Sequence, residues 1–118
     1  MNTKVSGIEG EAEAYRYAVS RGLKPIEKNY RRAGGEIDLI AMDGDTVVFI
    51  EVKSRMSPRY GSAAEAVNAS KRRCVVRAAL SYLQSHRLMD ARVRFDVIAI
   101  DGGQIRYIEN AFDASDFV

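Results

Sequence analysis

Alternating apolar and polar residues predict a β-hairpin near the centre of this chain. The stretch GEIDLIAMDGDTVVFIEVKSR, residues 35–55, alternates on both sides of Asp43-Gly44, a dipeptide typical of tight hairpin turns. Three further stretches with the composition of strands complete the predicted sheet: residues 24–32, 93–100 and 104–110. Because Pro25 lacks a backbone N–H, the first of these strands is expected at an edge.

Two other stretches repeat apolar residues at helical spacing. In the first, Ser6 and Glu9 have the spacing of a capping box, and Gly22 stands where the helix is expected to end. The second runs from about residue 63 to residue 88, with a candidate capping side chain near Asn68. The order of elements is therefore αβββαββ, which predicts an α/β fold with a mixed β-sheet flanked by helices.

Composition bounds the class of protein. The 118 residues suit a single domain, residues 1–118, and the 47% hydrophobic content predicts a packed core. The 18 basic and 16 acidic residues leave a net charge of +2, which alone does not indicate a nucleic-acid partner. One cysteine excludes an intrachain disulfide. Without an apolar run of about 18 residues or a hydrophobic signal region, we expect a cytoplasmic protein.

The hairpin places its charged residues on one face. With Asp43-Gly44 as a two-residue loop, Asp38 and Glu51 become diagonal neighbours whose Cα atoms are about 7–8 Å apart. A four-residue loop would place them directly opposite each other, and a three-residue loop would send them to opposite faces. Lys53 follows Glu51 by two residues and shares its face in each register.

The other face of the hairpin is apolar throughout: Ile37, Leu39, Ala41, Val48, Ile50 and Val52. The charged face itself is apolar near the turn and charged at the far end. A solvated face does not need the apolar group, and a fully buried face does not tolerate the charged one. The pattern predicts a face that a helix covers at one end and that is open as a cleft at the other.

A carboxylate of the first helix is available to this cleft. Glu11 precedes Ala14, Tyr15, Ala18 and Val19 by three, four, seven and eight residues, so it lies on their apolar stripe. We therefore expect Glu11 on the inward face of the helix.

Carboxylates that share a cleft are suited to metal-dependent hydrolysis of phosphodiesters. Asp and Glu oxygens a few ångströms apart bind hard cations such as Mg²⁺ or Mn²⁺, which keep water ligands for substrate and nucleophile. Lys53 is placed to orient such a water or to neutralise charge that develops on the phosphate. The alternation alone fits a solvated hairpin face equally well, with Lys53 balancing the carboxylates.

The same residues resemble a known family. GEIDLIAMDGDTVVFIEVKSR, with GEAEAYRYAVSRG before it and YGSAAEAV…K after it, is similar to the bacterial YraN family. That family is assigned to the PD-(D/E)XK nuclease superfamily and is similar to archaeal Holliday junction resolvases. The resemblance covers residues 7–112. Its most specific element is Asp38, twelve intervening residues, and then Glu51-Val52-Lys53.

The resemblance implies a restriction-endonuclease-like core and the roles of several residues. Asp38 and Glu51 would be metal ligands, assisted by the carbonyl of Val52. Lys53 would match the catalytic lysine, and Glu11 the first-helix glutamate of resolvase-like members. The implied function is a Mg²⁺- or Mn²⁺-dependent endonuclease acting on nucleic acid, DNA rather than RNA, and structured or branched DNA in particular. By analogy with resolvases a homodimer would suit a substrate with two strands to cut.

Three basic residues near the expected cleft are candidates for contacts with nucleic-acid phosphates. Arg55 and Arg59 belong to the segment after Lys53, and Lys71 stands at the N-terminal end of the apolar stripe of the second helix. Such contacts position a substrate without reading its sequence.

Two further polar residues are interpreted as structural. Asp96, an acid within a mostly apolar strand, is expected to pair with Arg94 or with an arginine of the first strand. His86, near the end of a helix, is expected to be exposed rather than to bind a metal.

Two rival functions follow from the same fold. A nucleic-acid-binding module that does not cleave would bind without metal, and Asp38→Ala would leave its affinity intact or increase it. A protein-interaction scaffold with a decayed site would show no salt-dependent affinity for DNA or RNA, whereas phosphate contacts impose one.

Overall fold

The computed structural model describes residues 3–55 and 68–114 and confirms the predicted order αβββαββ. The elements are α1 (Thr3–Ser20), β1 (Lys24–Arg32), β2 (Gly35–Asp43), β3 (Thr46–Arg55), α2 (Ala69–Ser85), β4 (Arg92–Asp101) and β5 (Gln104–Phe112). The fold is α/β, as expected, and is compatible with a restriction-endonuclease-like core.

The five strands form one mixed sheet in the order β1-β2-β3-β4-β5. Neighbouring strands are antiparallel except β3 and β4, which run parallel. Successive residues of β3 point to opposite faces. Phe49 lies in a core cluster with Val75 of α2, whereas Val48 lies in a second cluster with Ala14 of α1. The two helices therefore cover opposite faces of the sheet.

Helix α1 ends where its sequence predicts but begins earlier than expected, whereas α2 ends at Ser85, before the predicted residue 88. Helix α1 starts at Thr3, so Ser6 is inside the helix and is not its N-cap. At the other end the N–H of Leu23 donates to the carbonyl of Ala18 at 3.1 Å, and Gly22 has a φ of +90°, which together form a Schellman motif.

The predicted cap of α2 is confirmed. The side chain of Asn68 accepts a hydrogen bond from the N–H of Lys71 at 3.0 Å, while the predicted helical residues before 68 fall outside the described ranges. His86 is exposed at the C-cap, as expected. In residues 3–55 and 68–114, no helix is long and apolar enough to cross a membrane.

The hairpin between β2 and β3 turns one residue later than predicted. Asp43 pairs with Thr46, which leaves Gly44 and Asp45 as the two-residue turn. Gly44 has a φ of +59°, and of the two turn residues it alone lies in the left-handed region. Glycine at the first central position is the requirement of a type II′ turn. The predicted pairing of Met42 with Asp45 is therefore wrong, and the Asp-Gly dipeptide does not form the turn by itself.

Strands β2 and β3 separate at their far ends. Their register ends at the pair Leu39–Ile50, whereas residues 35–37 stay paired with β1 and residues 51–55 with β4. We call this opening, between residues 35–38 of β2 and residues 51–54 of β3, the fork. The side chains of β2 also change face here, because Ile37 belongs to the cluster under α2 and Leu39 to the cluster under α1. The prediction of one apolar face containing both residues is wrong at this point.

Asp96 has the structural role predicted for it. It is fully buried in a bulge of β4 and accepts hydrogen bonds from Arg94 Nε at 3.0 and 3.1 Å and Nη2 at 3.0 Å. The Tyr107 hydroxyl and, at 2.8 Å, the N–H of Asn110 also donate to it. The pairing with Arg94 is the first of the two predicted alternatives.

The contact between Gly35 and α2 generates the first testable prediction. A Cβ atom at residue 35 would lie 2.0 Å from the carbonyl oxygen of Cys74, so Gly35→Ala requires the backbone to move. We expect the free energy of unfolding to fall by about 3 kcal/mol or more, as measured by urea denaturation.

Gly34→Ala is the matched control. Its φ is +76° and no atom lies within 4 Å of a Cβ built there, so only backbone strain of about 1–2 kcal/mol is added. Equal losses in the two variants would contradict a tight approach of β2 to α2.

Candidate active site

Asp38 and Glu51 face each other across the fork. Continuing the register from Leu39–Ile50 by one residue brings them directly opposite, as in the four-residue alternative, and not diagonal as predicted. Glu51 is only 1% exposed and Asp38 is half-buried. Asp38 Oδ2 accepts a hydrogen bond from the N–H of Val52 at 2.7 Å. That bond fixes Asp38 inside the opening between the strands.

Two lysines reach Glu51 from different elements. Glu51 Oε1 lies 3.2 Å from Lys71 Nζ and 4.0 Å from Lys53 Nζ. Lys53 lies on the face that the strand period predicts. Lys71, predicted only as a phosphate contact, sits in the first turn of α2 beyond Asn68 and reaches into the carboxylate pair. Its place on the apolar stripe of the helix is the sequence signal for this position.

The second oxygen of Glu51 has no such partner. Oε2 is buried and, in the described part of the chain, no hydrogen-bond donor reaches it while both carboxylates are ionised. An unsatisfied buried oxygen of a charged group is costly. A proton shared with Asp38 would satisfy it, and so would a cation. The geometry therefore favours either a proton or a cation beside Glu51 Oε2.

The pKa values describe a pair that retains a proton. Burial, followed by the charge of Asp38, raises the pKa of Glu51 to about 8, against the opposing effect of Lys71. Burial also raises the pKa of Asp38, although the hydrogen bond from Val52 opposes the increase. Burial lowers the pKa of Lys71, but the nearby carboxylates raise it more, so Lys71 stays charged.

Glu11 is at the rim of the site rather than inside it. Its side chain is exposed, so the prediction of an inward position is wrong. The neighbouring Gly10 touches β3, because a Cβ there would lie 3.0 Å from the Cβ of Ser54. Partial burial raises the pKa of Glu11, and the charges of Asp38 and Glu36 raise it further. Glu11 is thus close enough to belong to the electrostatic environment of the fork.

The backbone of Val52 also faces the fork. In a strand, the N–H and C=O groups of one residue point to the same side. Because the Val52 N–H donates to Asp38, its carbonyl oxygen is directed toward the same opening. Arg55 is the last residue of β3, and Arg59 lies outside the described residues.

The structure thus brings together five of the predicted site residues: Asp38, Glu51, Val52, Lys53 and Lys71. Within residues 3–55 and 68–114, no group of three or more His, Cys, Asp or Glu side chains is close enough to hold a metal. The site offers two carboxylates, one carbonyl and two ammonium groups.

The residues of this site lie within a segment that matches a known protein family. A profile of the Uncharacterised protein family UPF0102 matches residues 10–100. The chain belongs to UPF0102. The resemblance to YraN is thereby confirmed.

UPF0102 relatives match over most of their length. The UPF0102 protein of Herminiimonas arsenicoxydans is 43% identical over 111 residues, which cover 94% of this chain and 89% of the relative. That of Geobacter metallireducens is 44% identical over 117 residues and 96% of each chain. That of Thermodesulfovibrio yellowstonii is 45% identical over 106 residues, which cover 90% of this chain and 94% of the relative.

The proton on the carboxylate pair generates a second prediction. The folded chain holds it up to about pH 8, whereas the unfolded chain releases it near the ordinary value of 4.5. Because the folded state binds more protons in this range, the free energy of unfolding should fall as pH rises from about 5 to 8. For one proton we expect a slope of at most about 1.4 kcal/mol per pH unit, which levels off above pH 8.

Urea denaturation in the presence of a chelator, repeated across this pH range, measures the slope. Glu51→Gln removes the titrating group and should flatten the profile, while Asp45→Asn, in the exposed turn, should keep the wild-type slope. A wild-type stability that rises with pH over this range would contradict the assignment.

Proposed function

We propose that this chain is a nuclease that hydrolyses phosphodiester bonds in nucleic acid with the help of Mg²⁺ or Mn²⁺. The observation that carries the proposal is Glu51 Oε2, a buried oxygen without a hydrogen-bond donor in the described residues. It stands beside Asp38 at the open end of the sheet, with two lysines within 4.0 Å of the other oxygen of Glu51.

The residues of the fork fit a hard divalent cation. Carboxylate and carbonyl oxygens are the ligands that Mg²⁺ and Mn²⁺ prefer. Asp38, Glu51 and the Val52 carbonyl would hold the ion. Mg²⁺ is commonly bound through one or two carboxylates and keeps several waters, so a third acidic side chain is not required. Such an ion would stabilise charge on the phosphate and lower the pKa of a bound water.

The side chains of the site have distinct roles in this proposal. Lys53, whose Nζ is 4.0 Å from Glu51 Oε1, would orient the attacking water or stabilise negative charge on the phosphate in the transition state. Lys71 Nζ lies 3.2 Å from Oε1, so Oε2 would be the oxygen of Glu51 that binds the ion. Glu11 would assist from the rim, where its raised pKa suits it to exchange a proton with a water.

The substrate class rests on the resemblance to Holliday junction resolvases. It supports structured or branched DNA as the substrate, DNA rather than RNA, and a homodimer, since a branched substrate has two strands to cut. A cytoplasmic location would agree with the single cysteine.

A second candidate is a nucleic-acid-binding module that does not cleave. The observation that favours it is that, among the described residues, no third metal-binding side chain is grouped with Asp38 and Glu51. In that case Lys71 and Lys53 would serve as the permanent counter-charges of the pair.

A cleavage assay separates the two candidates and gives the third prediction. Labelled four-way, flapped and single-stranded DNAs are incubated with the chain and Mn²⁺. We expect Lys53→Met to lower the cleavage rate by about 10²–10³-fold, because one donor to the transition state is lost, and Asp38→Asn to abolish cleavage.

Lys24→Met is the matched control, since Lys24 is an exposed lysine of β1 that pairs with Met42 near the hairpin turn, away from the fork. It should cut at the wild-type rate. If the folded wild type cuts none of these DNAs yet binds them, the non-cleaving module is the correct function. Cleavage that survives both Lys53→Met and Asp38→Asn would place the reaction elsewhere.

A further inference from the structure

A groove of about 630 Å³ lies beside the fork. One wall is the turn between β1 and β2, with Arg31, Arg32 and Glu36, and the other wall is α2, with Lys71 and Cys74. Lys71 belongs to both the groove and the site, because its ammonium contacts Glu51. Lys71 therefore connects the groove with the carboxylate pair.

The turn lies close against the helix. Its two central residues, Ala33 and Gly34, have φ values of +55° and +76°, which form the tight type I′ turn that joins adjacent antiparallel strands. Gly35 follows, and a Cβ there would lie 2.0 Å from the Cys74 carbonyl oxygen. The absence of a side chain at this residue thus lets the two arginines stand next to α2.

The charge of the groove is opposite to that of the carboxylate pair. Its walls carry Arg31, Arg32 and Lys71 against one acid, Glu36. Arg31 Nη2 is 3.4 Å from Glu36 Oε1, but the Arg31 side chain is 75% exposed. An ion pair so exposed to water contributes little and leaves the guanidinium available to another anion.

A polyanionic chain is the ligand that this arrangement suits. Guanidinium groups bind phosphate oxygens through two parallel hydrogen bonds. The volume of the groove exceeds what one phosphate fills and is in the range that holds larger ligands. A chain of phosphodiesters can contact the arginines at one end of the groove while another of its phosphates reaches the fork.

We propose that this groove binds the phosphodiester backbone of DNA through Arg31 and Arg32 and directs it to the fork. The proposal rests on the proposed nuclease function and identifies the surface that presents its substrate. Neither arginine is among the phosphate contacts predicted from the sequence. Arg31 and Arg32 are binding residues and do not take part in the reaction itself.

The test measures DNA affinity apart from cleavage. The Asp38→Asn chain, in which the proposed site is disabled, is titrated into a labelled four-way DNA junction at several salt concentrations, and fluorescence anisotropy reports binding. Adding Arg31→Gln and Arg32→Gln should weaken binding at least tenfold at about 0.1 M salt. The plot of log affinity against log salt has a negative slope. Its magnitude should decrease by about two, because two phosphate contacts are lost.

The matched control removes the same charge elsewhere. Arg87 and Arg106 are exposed, Arg87 beyond the C-terminal end of α2 and Arg106 on β5, at the sheet edge opposite β1. Arg87→Gln with Arg106→Gln should leave both affinity and salt slope close to those of the Asp38→Asn chain. Equal effects of the two double substitutions would overturn the groove, since net charge alone would then explain them.

The outcomes separate this proposal from the nuclease function. Suppose that the wild type cleaves DNA but the Arg31 and Arg32 substitutions affect affinity no more than the control. This result would overturn the proposed role of the groove and leave the proposed nuclease function intact. If the wild type does not cleave but affinity and salt slope change as expected, the result would support DNA binding in the groove and reject the nuclease function. Failure of the folded chain to bind the junction at any salt concentration would overturn the groove.

Discussion

The hydrogen bond from the Val52 N–H to Asp38 is the interaction on which the candidate site depends. Beyond the pair Leu39–Ile50, strands β2 and β3 separate. The backbone groups of β3 that point toward β2 therefore lose the partners that a continued ladder would supply. A buried N–H without an acceptor is costly. Asp38 accepts this one at 2.7 Å and is thereby fixed opposite Glu51. The break in the sheet and the carboxylate pair are thus one structural feature.

Two carboxylates held together in a buried place require compensation, and the rest of the fold supplies part of it. α2 carries Lys71 to within 3.2 Å of Glu51, and β3 carries Lys53 to within 4.0 Å. The close approach of Gly35 to the Cys74 carbonyl fixes where α2 lies on β2. Both lysines contact Glu51 Oε1, so Glu51 Oε2 still needs a proton or a cation. Packing of a helix on a sheet therefore determines the chemistry available at the fork.

The sequence predicted those features that depend on local periodicity. The strand period of two places Asp38 and Glu51 on one face, and this survives the error in register because the true register differs from the predicted one by two residues. The turn itself was mispredicted because Gly44 satisfies either a type I′ or a type II′ turn, according to its position. The exposure of Glu11 and the contact of Lys71 with Glu51 depend on how the helices dock, which periodicity within one element does not determine.

Calorimetry of Mn²⁺ binding near pH 7, in two buffers with different ionisation enthalpies, tests the central claim most directly. If the ion takes the place of the proton shared by Asp38 and Glu51, each Mn²⁺ bound should release about one proton. Asp38→Asn and Glu51→Gln should both abolish binding, and Asp45→Asn should not. Mn²⁺ binding without proton release, or binding that survives both substitutions, would show that the carboxylate pair is not the metal site. No Mn²⁺ binding, even with the DNA junction present, would contradict the account as well.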